Sequence, residues 1–447
     1  MKIAVYIILM MNFSLLHAGL FDSAVEAYNN EDLKKAYQLW EKSANDGNAI
    51  AMYNLGVMDF NIQGISSALD LPAQWFEKSS KQGFSLAYVE LGLLYETGMG
   101  VDKDHKKAFE MFSIAAEENQ PLGQNKLGEY YENINIEKSI LWYEKSAKQG
   151  NIASANSLGL IYENLEQWEK AVFWYKKAVA HDLESLLPAK KKNFLNDGKT
   201  LNNLRGAGWW VDTSIDEALL TAQFNLARFY DHTQSEYNNR EKARYWYEKS
   251  ALQGYDVAQY NLAYLYTTDD GGAQDYKKAK YWYEKSAKQN NYSAMYNLAY
   301  LYSNGFGMPR NAIEAINWYK KVRGDSQFLS YEKIAIIYYE GSGIKQSNKN
   351  ALFWFLKSAE KGLLYSQIYA ADLYQDKNLD TFSYEHSFYW FLKAAKRDNA
   401  YAQNRLAMMI YYGKGVDENR EEAKKWFEKA VENGSKEAIE NIKKYYN

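Results

Sequence analysis

The chain has 447 residues, with 53 Lys and Arg against 56 Asp and Glu, so its formal net charge is −3. This balance argues against a general nucleic-acid binder, which would carry a basic excess. The sequence contains no cysteine, which excludes disulfide scaffolds, thiol catalysis and Cys-ligated metal sites. Only 4 prolines favour a mostly helical chain, and the 40 Tyr and 13 Trp indicate many rings that are packed inside or offered to a ligand.

The first eighteen residues have the pattern of a secretory signal peptide. Lys2 precedes an apolar stretch from Ile3 to Leu16, and the small residue Ala18 comes before an expected cleavage at Gly19. The apolar stretch is shorter than the roughly 20 residues that span a bilayer. We therefore expect residues 1–18 to be removed and the protein to be periplasmic or secreted, without stable membrane insertion. The alternative is an amphipathic or membrane-anchored N-terminus.

An aromatic motif returns at a fixed spacing in the second half of the chain. It reads Trp-Tyr-Glu-Lys-Ser-Ala and begins at Trp142, Trp246 and Trp282. From Trp246 onward, a tryptophan stands every 36 residues. Shorter copies of the motif begin at Trp318, Trp354 and Trp426. In each copy the apolar residues fall at helical spacing, which predicts one buried stripe on an amphipathic helix.

A second motif precedes the aromatic one. It begins at Ala258, continues through Leu262 and Ala263 and ends at Tyr266, and it recurs from Ala294 to Tyr302. Its apolar residues also fall at helical spacing. The small residue after the leucine would let a neighbouring helix approach closely, so that a bulky ring can pack opposite it. Glycines after the aromatic motif, such as Gly254, are typical of left-handed helix caps.

The two motifs in this order resemble the Sel1-like repeat, a relative of the tetratricopeptide repeat. The resemblance covers roughly Lys35 to Asn447. It implies an all-α fold, an α/α solenoid in which antiparallel helix pairs stack into a right-handed superhelix. Family members usually act as adaptors or scaffolds, and bacterial members are often exported.

The repeats predict a division of the chain into six parts. Residues 182–217 fit neither motif well, although Trp210 keeps the spacing of 36 residues to Trp174 and to Trp246, so they are either a decayed repeat or an insertion. The predicted parts are a signal peptide (1–18), N-terminal capping helices (19–50), a first repeat array (51–181), the degenerate segment (182–217), a second array (218–434) and a C-terminal capping helix (435–447).

The sequence contains no complete motif for catalysis, metal binding or cofactor binding. The mature chain has four histidines, and none of them forms a zinc-type motif: His105, His181, His232 and His386. Gly198-Lys199-Thr200 resembles the end of a phosphate-binding loop, but Asn193 stands where the earlier glycine is required. Ser-x-x-Lys begins at Ser330, Ser342 and Ser358 without the companion motifs of penicillin-recognising enzymes. We expect no cofactor, no metal and no catalytic residue.

Analogy with tetratricopeptide packing predicts which residues form a binding face. In that packing, residues two before, two after and five after the motif leucine face the concave groove. The predicted partner-binding residues are Phe224, Arg228, Tyr260, Tyr264, Tyr296, Tyr300 and Tyr339. Tyrosine combines a large rigid ring with a hydroxyl, as interface hot spots do. The alternative is that these rings only stack on one another along the array.

These observations predict a monomeric, exported, non-catalytic scaffold that binds a protein or peptide and no nucleic acid. One alternative is a periplasmic immunity or inhibitor protein that sequesters a toxin or hydrolase. Another is an enzyme on an α/α scaffold that hydrolyses β-lactams or a glycan.

Overall fold

A computed structural model describes residues 19–30, 32–61, 71–180, 208–233, 236–268 and 274–446. Within these ranges the regular elements are helices, and none is a strand. The predicted signal peptide lies outside the described residues, as do residues 182–207 of the degenerate segment. The chain divides into two compact units, Met1–Gln253 and Gly254–Asn447.

The first unit contains the helices α1 to α12. They are α1 (residues 19–29), α2 (Leu33–Asn45), α3 (Ala49–Asn61), α4 (Leu71–Lys81), α5 (Leu86–Thr97), α6 (His105–Glu117), α7 (Pro121–Tyr131), α8 (Ile136–Lys148), α9 (Ile152–Asn164), α10 (Trp168–Val179), α11 (Gly208–His232) and α12 (Arg240–Leu252). The predicted boundary at residue 217 falls inside α11, so the end of the degenerate segment and the start of the second array share one helix.

The second unit contains the helices α13 to α23 and one short 3₁₀ helix, Gly324–Ser326, before α17. They are α13 (Asp256–Thr267), α14 (Tyr276–Lys288), α15 (Tyr292–Asn304), α16 (Ala312–Lys321), α17 (Gln327–Glu340), α18 (Asn348–Ala359), α19 (Leu364–Leu373), α20 (Tyr384–Ala395), α21 (Ala400–Tyr411), α22 (Arg420–Glu432) and α23 (Lys436–Tyr446). Within each unit, consecutive helices pack against each other in repeating pairs. The predicted all-α solenoid class is confirmed.

Each hairpin joins a first helix, which carries the leucine motif, to a second helix, which carries the aromatic motif. In most hairpins the largest fully buried side chain is the ring that follows the tryptophan. Such rings are less than 2% exposed at Tyr143, Tyr175, Tyr247, Tyr283, Tyr319, Phe355, Phe391 and Phe427. Trp246 is only partly buried, because it lies one position away from the centre of the stripe.

The expected close approach of the helices is present. A Cβ atom added to Gly128 would lie 2.4 Å from the Tyr143 ring, and one added to Gly159 would lie 2.5 Å from the Tyr175 ring. In the second unit, alanines such as Ala263 and Ala299 stand at the same motif position and are fully buried. The ring of the second helix therefore packs directly against the backbone or the methyl group of the first helix.

The turn inside most of the described hairpins is fixed by a repeated pair of hydrogen bonds. The Asp275 N–H donates to the Tyr266 carbonyl over 2.9 Å, and the Asp275 side chain accepts from the backbone of the first turn of α14. The same pair occurs at Asn311, whose N–H donates to the Tyr302 carbonyl. Each side chain caps the N-terminus of its second helix. At the other end of the hairpin, Gly254 has φ +100°, as its predicted cap requires.

The serine of the aromatic motif closes the open end of the hairpin. The Ser286 hydroxyl donates to the Asp256 carbonyl over 2.8 Å, and Ser250 donates to the Leu220 carbonyl over the same distance. In both cases a buried hydroxyl of the second helix reaches a backbone carbonyl of the first helix, in the first turn of α13 and in the middle of α11. This contact explains why a small polar residue stands on the apolar stripe.

We expect Gly128→Ala to lower the free energy of unfolding by about 1–2 kcal/mol, because the added methyl group overlaps the Tyr143 ring. Helix propensity alone predicts the opposite, a gain of about 1 kcal/mol. The reverse change Ala263→Gly is the control, and it should also destabilise. Chemical denaturation followed by circular dichroism measures both. A stabilised Gly128→Ala variant would contradict the packing argument.

Candidate functional site on the first helices

Two of the predicted binding tyrosines are partly buried inside their own hairpins. The ring centroid of Tyr260 on α13 lies 5.8 Å from that of Tyr283, and Tyr296 on α15 lies 5.4 Å from Tyr319. Burial raises the pKa values of both the Tyr260 and the Tyr296 hydroxyls. These two rings therefore contribute to the contact between first and second helix.

Two further predicted tyrosines are exposed at the surface. Tyr264 is 47% exposed and Tyr300 is 44% exposed. Each lies one turn after the inner tyrosine of the same helix and two residues after the motif leucine. Tyr300 also approaches Phe306 in the following turn, with ring centroids 5.9 Å apart. The structure thus separates an inner pair, Tyr260 and Tyr296, from an outer pair, Tyr264 and Tyr300.

Tyr339 joins successive first helices. Its ring lies 5.3 Å from that of Tyr369, on the next first helix, and 6.3 Å from that of Phe355. The Phe355 and Tyr369 rings are stacked at 4.9 Å. Tyr339 thus belongs to a cluster of three rings that links one hairpin to the next.

The two predicted residues of the first unit, Phe224 and Arg228, lie on α11. Phe224 packs against Tyr247 with a centroid distance of 5.7 Å. The Arg228 guanidinium pairs with the Glu163 carboxylate over 2.7 Å, and the same oxygen accepts from the Tyr175 hydroxyl over 2.6 Å. Arg228 therefore connects the first helices α9 and α11.

A polar cluster on the first helices of the second unit escaped the sequence analysis. Asp372 on α19 accepts from the Tyr401 hydroxyl and lies 3.4 Å from the Arg405 guanidinium, while Arg405 also donates to Gln375 over 3.0 Å. Burial raises the pKa of Asp372, while Arg405 and Tyr401 act in the opposite direction.

The polar cluster was missed because α19 carries Ala370 at the position of the motif leucine. The regular spacing of Trp354, Trp390 and Trp426 could have revealed the cluster, because it shows which residues of α19 and α21 occupy equivalent positions in the repeat.

A second unpredicted contact is a buried acid in the first unit. Glu90 on α5 is 3% exposed, and its carboxylate accepts a hydrogen bond from the Tyr53 hydroxyl of α3 over 3.0 Å. Burial raises the pKa of the Glu90 carboxyl to about 7, and the bond from Tyr53 opposes that shift. Glu90 thus joins two successive first helices, and the free-energy cost of burying its carboxylate depends on pH.

The three Ser-x-x-Lys serines have structural partners. The Ser358 hydroxyl is fully buried and donates to the Phe328 carbonyl over 2.9 Å, and the buried Ser330 donates to the Ser326 carbonyl over the same distance. Ser342 lies in a glycine turn and donates to Glu340. The first two hydroxyls are therefore shielded from any substrate and engaged with the backbone.

The described histidines do not converge. His105 begins α6, His232 lies 3.4 Å from Asp231, and His386 stacks on Tyr374 at 5.0 Å. His181 lies outside the described residues. No group of three His, Asp or Glu side chains in the described ranges could hold a metal ion. No helix in those ranges is long and apolar enough to cross a bilayer.

The fold and these contacts define a protein built from helical-hairpin repeats. The Sel1 repeat model matches eleven segments, and the chain belongs to this family. The matched residues are 27–48, 49–84, 85–120, 121–151, 154–183, 220–255, 256–291, 293–321, 329–363, 367–399 and 400–435. The predicted resemblance is thereby confirmed. None of the curated proteins matches the sequence.

Several solved structures resemble this chain. The Escherichia coli protein c5321, a protective antigen of uropathogenic strains, is 26% identical with a TM-score of 0.61; the match covers 92% of this chain and 85% of that one. A Sel1 repeat protein from Oxalobacter formigenes is 24% identical, with a TM-score of 0.42 and coverage of 50% and 90%. The immunity protein Pa5087 from Pseudomonas aeruginosa is 18% identical, with a TM-score of 0.33 and coverage of 54% and 81%.

The raised pKa of Glu90 predicts a pH-dependent stability. Between pH 4.5 and about 7 the folded chain binds more protons than the unfolded chain. Its free energy of unfolding should therefore fall as the pH rises, by up to ~1.4 kcal/mol per pH unit. We expect Glu90→Gln to remove this loss and to be more stable than the wild type at pH 8. Denaturation experiments across this pH range measure the free energy of unfolding of both proteins.

The exposed substitution Glu110→Gln is the control for the change in surface charge and should keep the wild-type profile. Equal pH profiles for the wild type and Glu90→Gln would show that burial does not perturb Glu90.

Proposed function

We propose that this protein is an exported, monomeric and non-catalytic scaffold that binds a protein or peptide through the first helices of the unit Gly254–Asn447. Sel1 repeats generally mediate protein interactions, and this chain belongs to their family. The observation that carries the proposal is the outer pair, Tyr264 and Tyr300. Two large rings are exposed at equivalent positions of neighbouring hairpins, whereas many other aromatic rings of the chain are buried.

The geometry of the outer pair suits an interface anchor. A tyrosine ring offers rigid contact area with two rotatable side-chain bonds and a polar tip. The inner pair lies one turn away on the same helices and is held by the Tyr283 and Tyr319 rings. The partner therefore meets a preformed surface, and binding avoids much of the entropy cost of ordering it.

The spacing of the outer pair favours an extended partner segment. Tyr264 and Tyr300 lie at equivalent positions of α13 and α15, the first helices of successive hairpins, so a partner segment that runs across both helices could meet both rings. Around the outer pair, the hydroxyls of Thr267 and Ser303 donate to the carbonyls of Tyr264 and Tyr300. The surface beside Tyr300 also carries a positive charge, because the Arg310 guanidinium donates to the Ser303 carbonyl.

Export is the second part of the proposal, and it rests on residues 1–18. Their basic start, short apolar stretch and small residue before Gly19 suit signal peptidase. We expect the protein recovered from the periplasm or medium of the producing cells to begin at or near Gly19. Terminal sequencing by mass spectrometry tests this. Protein that keeps Met1 and remains in the cytoplasm would contradict export.

The binding proposal predicts that Tyr264→Ala with Tyr300→Ala lowers the affinity for a captured partner by at least ~tenfold, as expected for two hot-spot residues. Partners come from two sources, a periplasmic extract and a displayed library of unstructured peptides. Titration of each purified partner against the wild type and the double variant measures the loss. Circular dichroism should stay unchanged, because both side chains are exposed.

The matched control is Tyr281→Ala with Tyr389→Ala, two exposed tyrosines on second helices. This variant should keep wild-type affinity. Equal affinities of all three proteins would remove the outer pair from the binding site. Turnover of a chromogenic β-lactam or a peptidoglycan substrate by the wild type would contradict the non-catalytic assignment.

A further inference from the structure

The second helices of the unit Gly254–Asn447 expose aromatic side chains at one repeated position. The residue before the tryptophan is Tyr281 on α14, Phe353 on α18 and Tyr389 on α20, with exposed fractions of 51%, 53% and 47%. On α16 this position holds Asn317, but Ile313 one turn earlier is 63% exposed. Four neighbouring hairpins thus each present an apolar side chain on the same side of the second helices.

These rings are held in place by their own helices. Each meets the following tryptophan edge to face, with centroid distances of 5.0 Å at Tyr281, 5.2 Å at Phe353 and 5.0 Å at Tyr389. Their orientation repeats along the unit because the contact repeats. Exposure of large rings in a regular row is a feature of interaction surfaces, whereas scattered exposed rings need no explanation.

A lysine accompanies each ring. The Lys357 ammonium lies 5.0 Å from the Phe353 centroid, and the Lys393 ammonium lies 4.6 Å from that of Tyr389. On α16, the Lys321 ammonium lies 4.2 Å from the Trp318 ring. Each lysine ammonium therefore lies over an aromatic ring, within the distance of a cation–π contact.

Three of these second helices, α16, α18 and α20, lack the glutamate that precedes this lysine in other copies of the motif. In α14 the motif glutamate, Glu284, is present and pairs with Lys280. At the same position α16, α18 and α20 have Lys320, Leu356 and Leu392. Throughout the part of the chain that the structure describes, no carboxylate oxygen lies within 4.0 Å of the Lys321, Lys357 or Lys393 ammonium groups. Positive charge is thus unbalanced here on a chain whose net charge is −3.

We propose that this surface docks on a lipid bilayer that contains anionic headgroups. The aromatic–lysine face consists of Tyr281, Phe353 and Tyr389 together with Lys321, Lys357 and Lys393. Aromatic rings partition to the boundary between headgroups and acyl chains, and lysines beside them attract anionic headgroups. Docking of this kind needs no spanning helix, and each of the six side chains stays in its folded position.

The combination of rings and cations distinguishes a bilayer from a soluble acidic partner. An acidic protein or a polyanion would need the lysines but would leave a regular row of apolar rings in water. A bilayer surface satisfies both features, since its headgroups meet the ammonium groups and its interface takes up the rings. An extended anionic plane also matches a row that continues over neighbouring hairpins.

The aromatic–lysine face is distinct from the proposed partner site. It lies on second helices, whereas Tyr264 and Tyr300 lie on first helices. Membrane docking would leave the outer pair accessible to a protein partner, and either activity can fail without the other.

The test is co-sedimentation of the full chain with two kinds of vesicle, phosphatidylcholine alone and phosphatidylcholine mixed with phosphatidylglycerol. We expect stronger binding to the anionic vesicles, and weaker binding as salt is added. The triple variant Lys321→Gln, Lys357→Gln and Lys393→Gln should lower the partition coefficient for anionic vesicles by at least ~tenfold. The ring variant Tyr281→Ser, Phe353→Ser and Tyr389→Ser should also lower it. Residues 1–18 contribute equally in every variant.

The charge-matched control is Lys377→Gln, Lys436→Gln and Lys443→Gln, three exposed lysines on other parts of the same unit. It should bind anionic vesicles as the wild type does. Three results would overturn the proposal. These are equal binding to both vesicle types, an equal loss in the control variant, and binding to heparin or polyglutamate without binding to vesicles. Circular dichroism confirms that each variant is folded.

Discussion

The contact between one large ring and one small residue organises every hairpin of this chain. The ring of the second helix occupies the space that a side chain of the first helix would otherwise fill, as Tyr143 does above Gly128. Because the same pair returns in each repeat, the helices approach each other in the same way each time. The hydrogen bonds at the turn and at the serine then fix the two ends of the hairpin.

This packing leaves two kinds of exposed surface, one on the first helices and one on the second helices, for which we propose different functions. First helices meet the first helices of the next hairpins through side chains that vary from repeat to repeat, such as Glu90 with Tyr53 or Asp372 with Arg405. Between these contacts Tyr264 and Tyr300 remain exposed. Second helices vary less, and their outer positions repeat an aromatic side chain and a lysine. The contacts between first helices thus vary from repeat to repeat, whereas the outer surface of the second helices is regular.

The sequence alone was sufficient for the fold, because repetition adds the weak signal of each helix. The stripe from Ala258 to Tyr266, the left-handed cap at Gly254 and the small residue at Gly128 all follow from local spacing and sterics. The depth of individual rings did not follow. Trp246 looked as buried as Tyr247, since a helical stripe is wide enough to include both, and the packing decides which ring is central.

The candidate site was predicted only in part, because a motif position does not say which neighbour a side chain meets. Tyr260 and Tyr264 are equivalent in a helical-face argument, yet one packs on Tyr283 and the other is exposed. The contacts of Glu90 and Asp372 could not be predicted from the sequence for a different reason. Their partners are about one repeat away along the chain, and only the stacking of hairpins brings those residues together.

The central functional claim is that the first helices of the second unit meet the partner through exposed tyrosines. Site-specific photo-crosslinking in the producing cells tests it most directly, with a benzophenone amino acid placed at position 264, 300 or, as an exposed reference, 245. The account predicts discrete adducts of one common mass from positions 264 and 300 and none of that mass from position 245. Adducts only from position 245, or none from 264 and 300 when the partner is present, would contradict it.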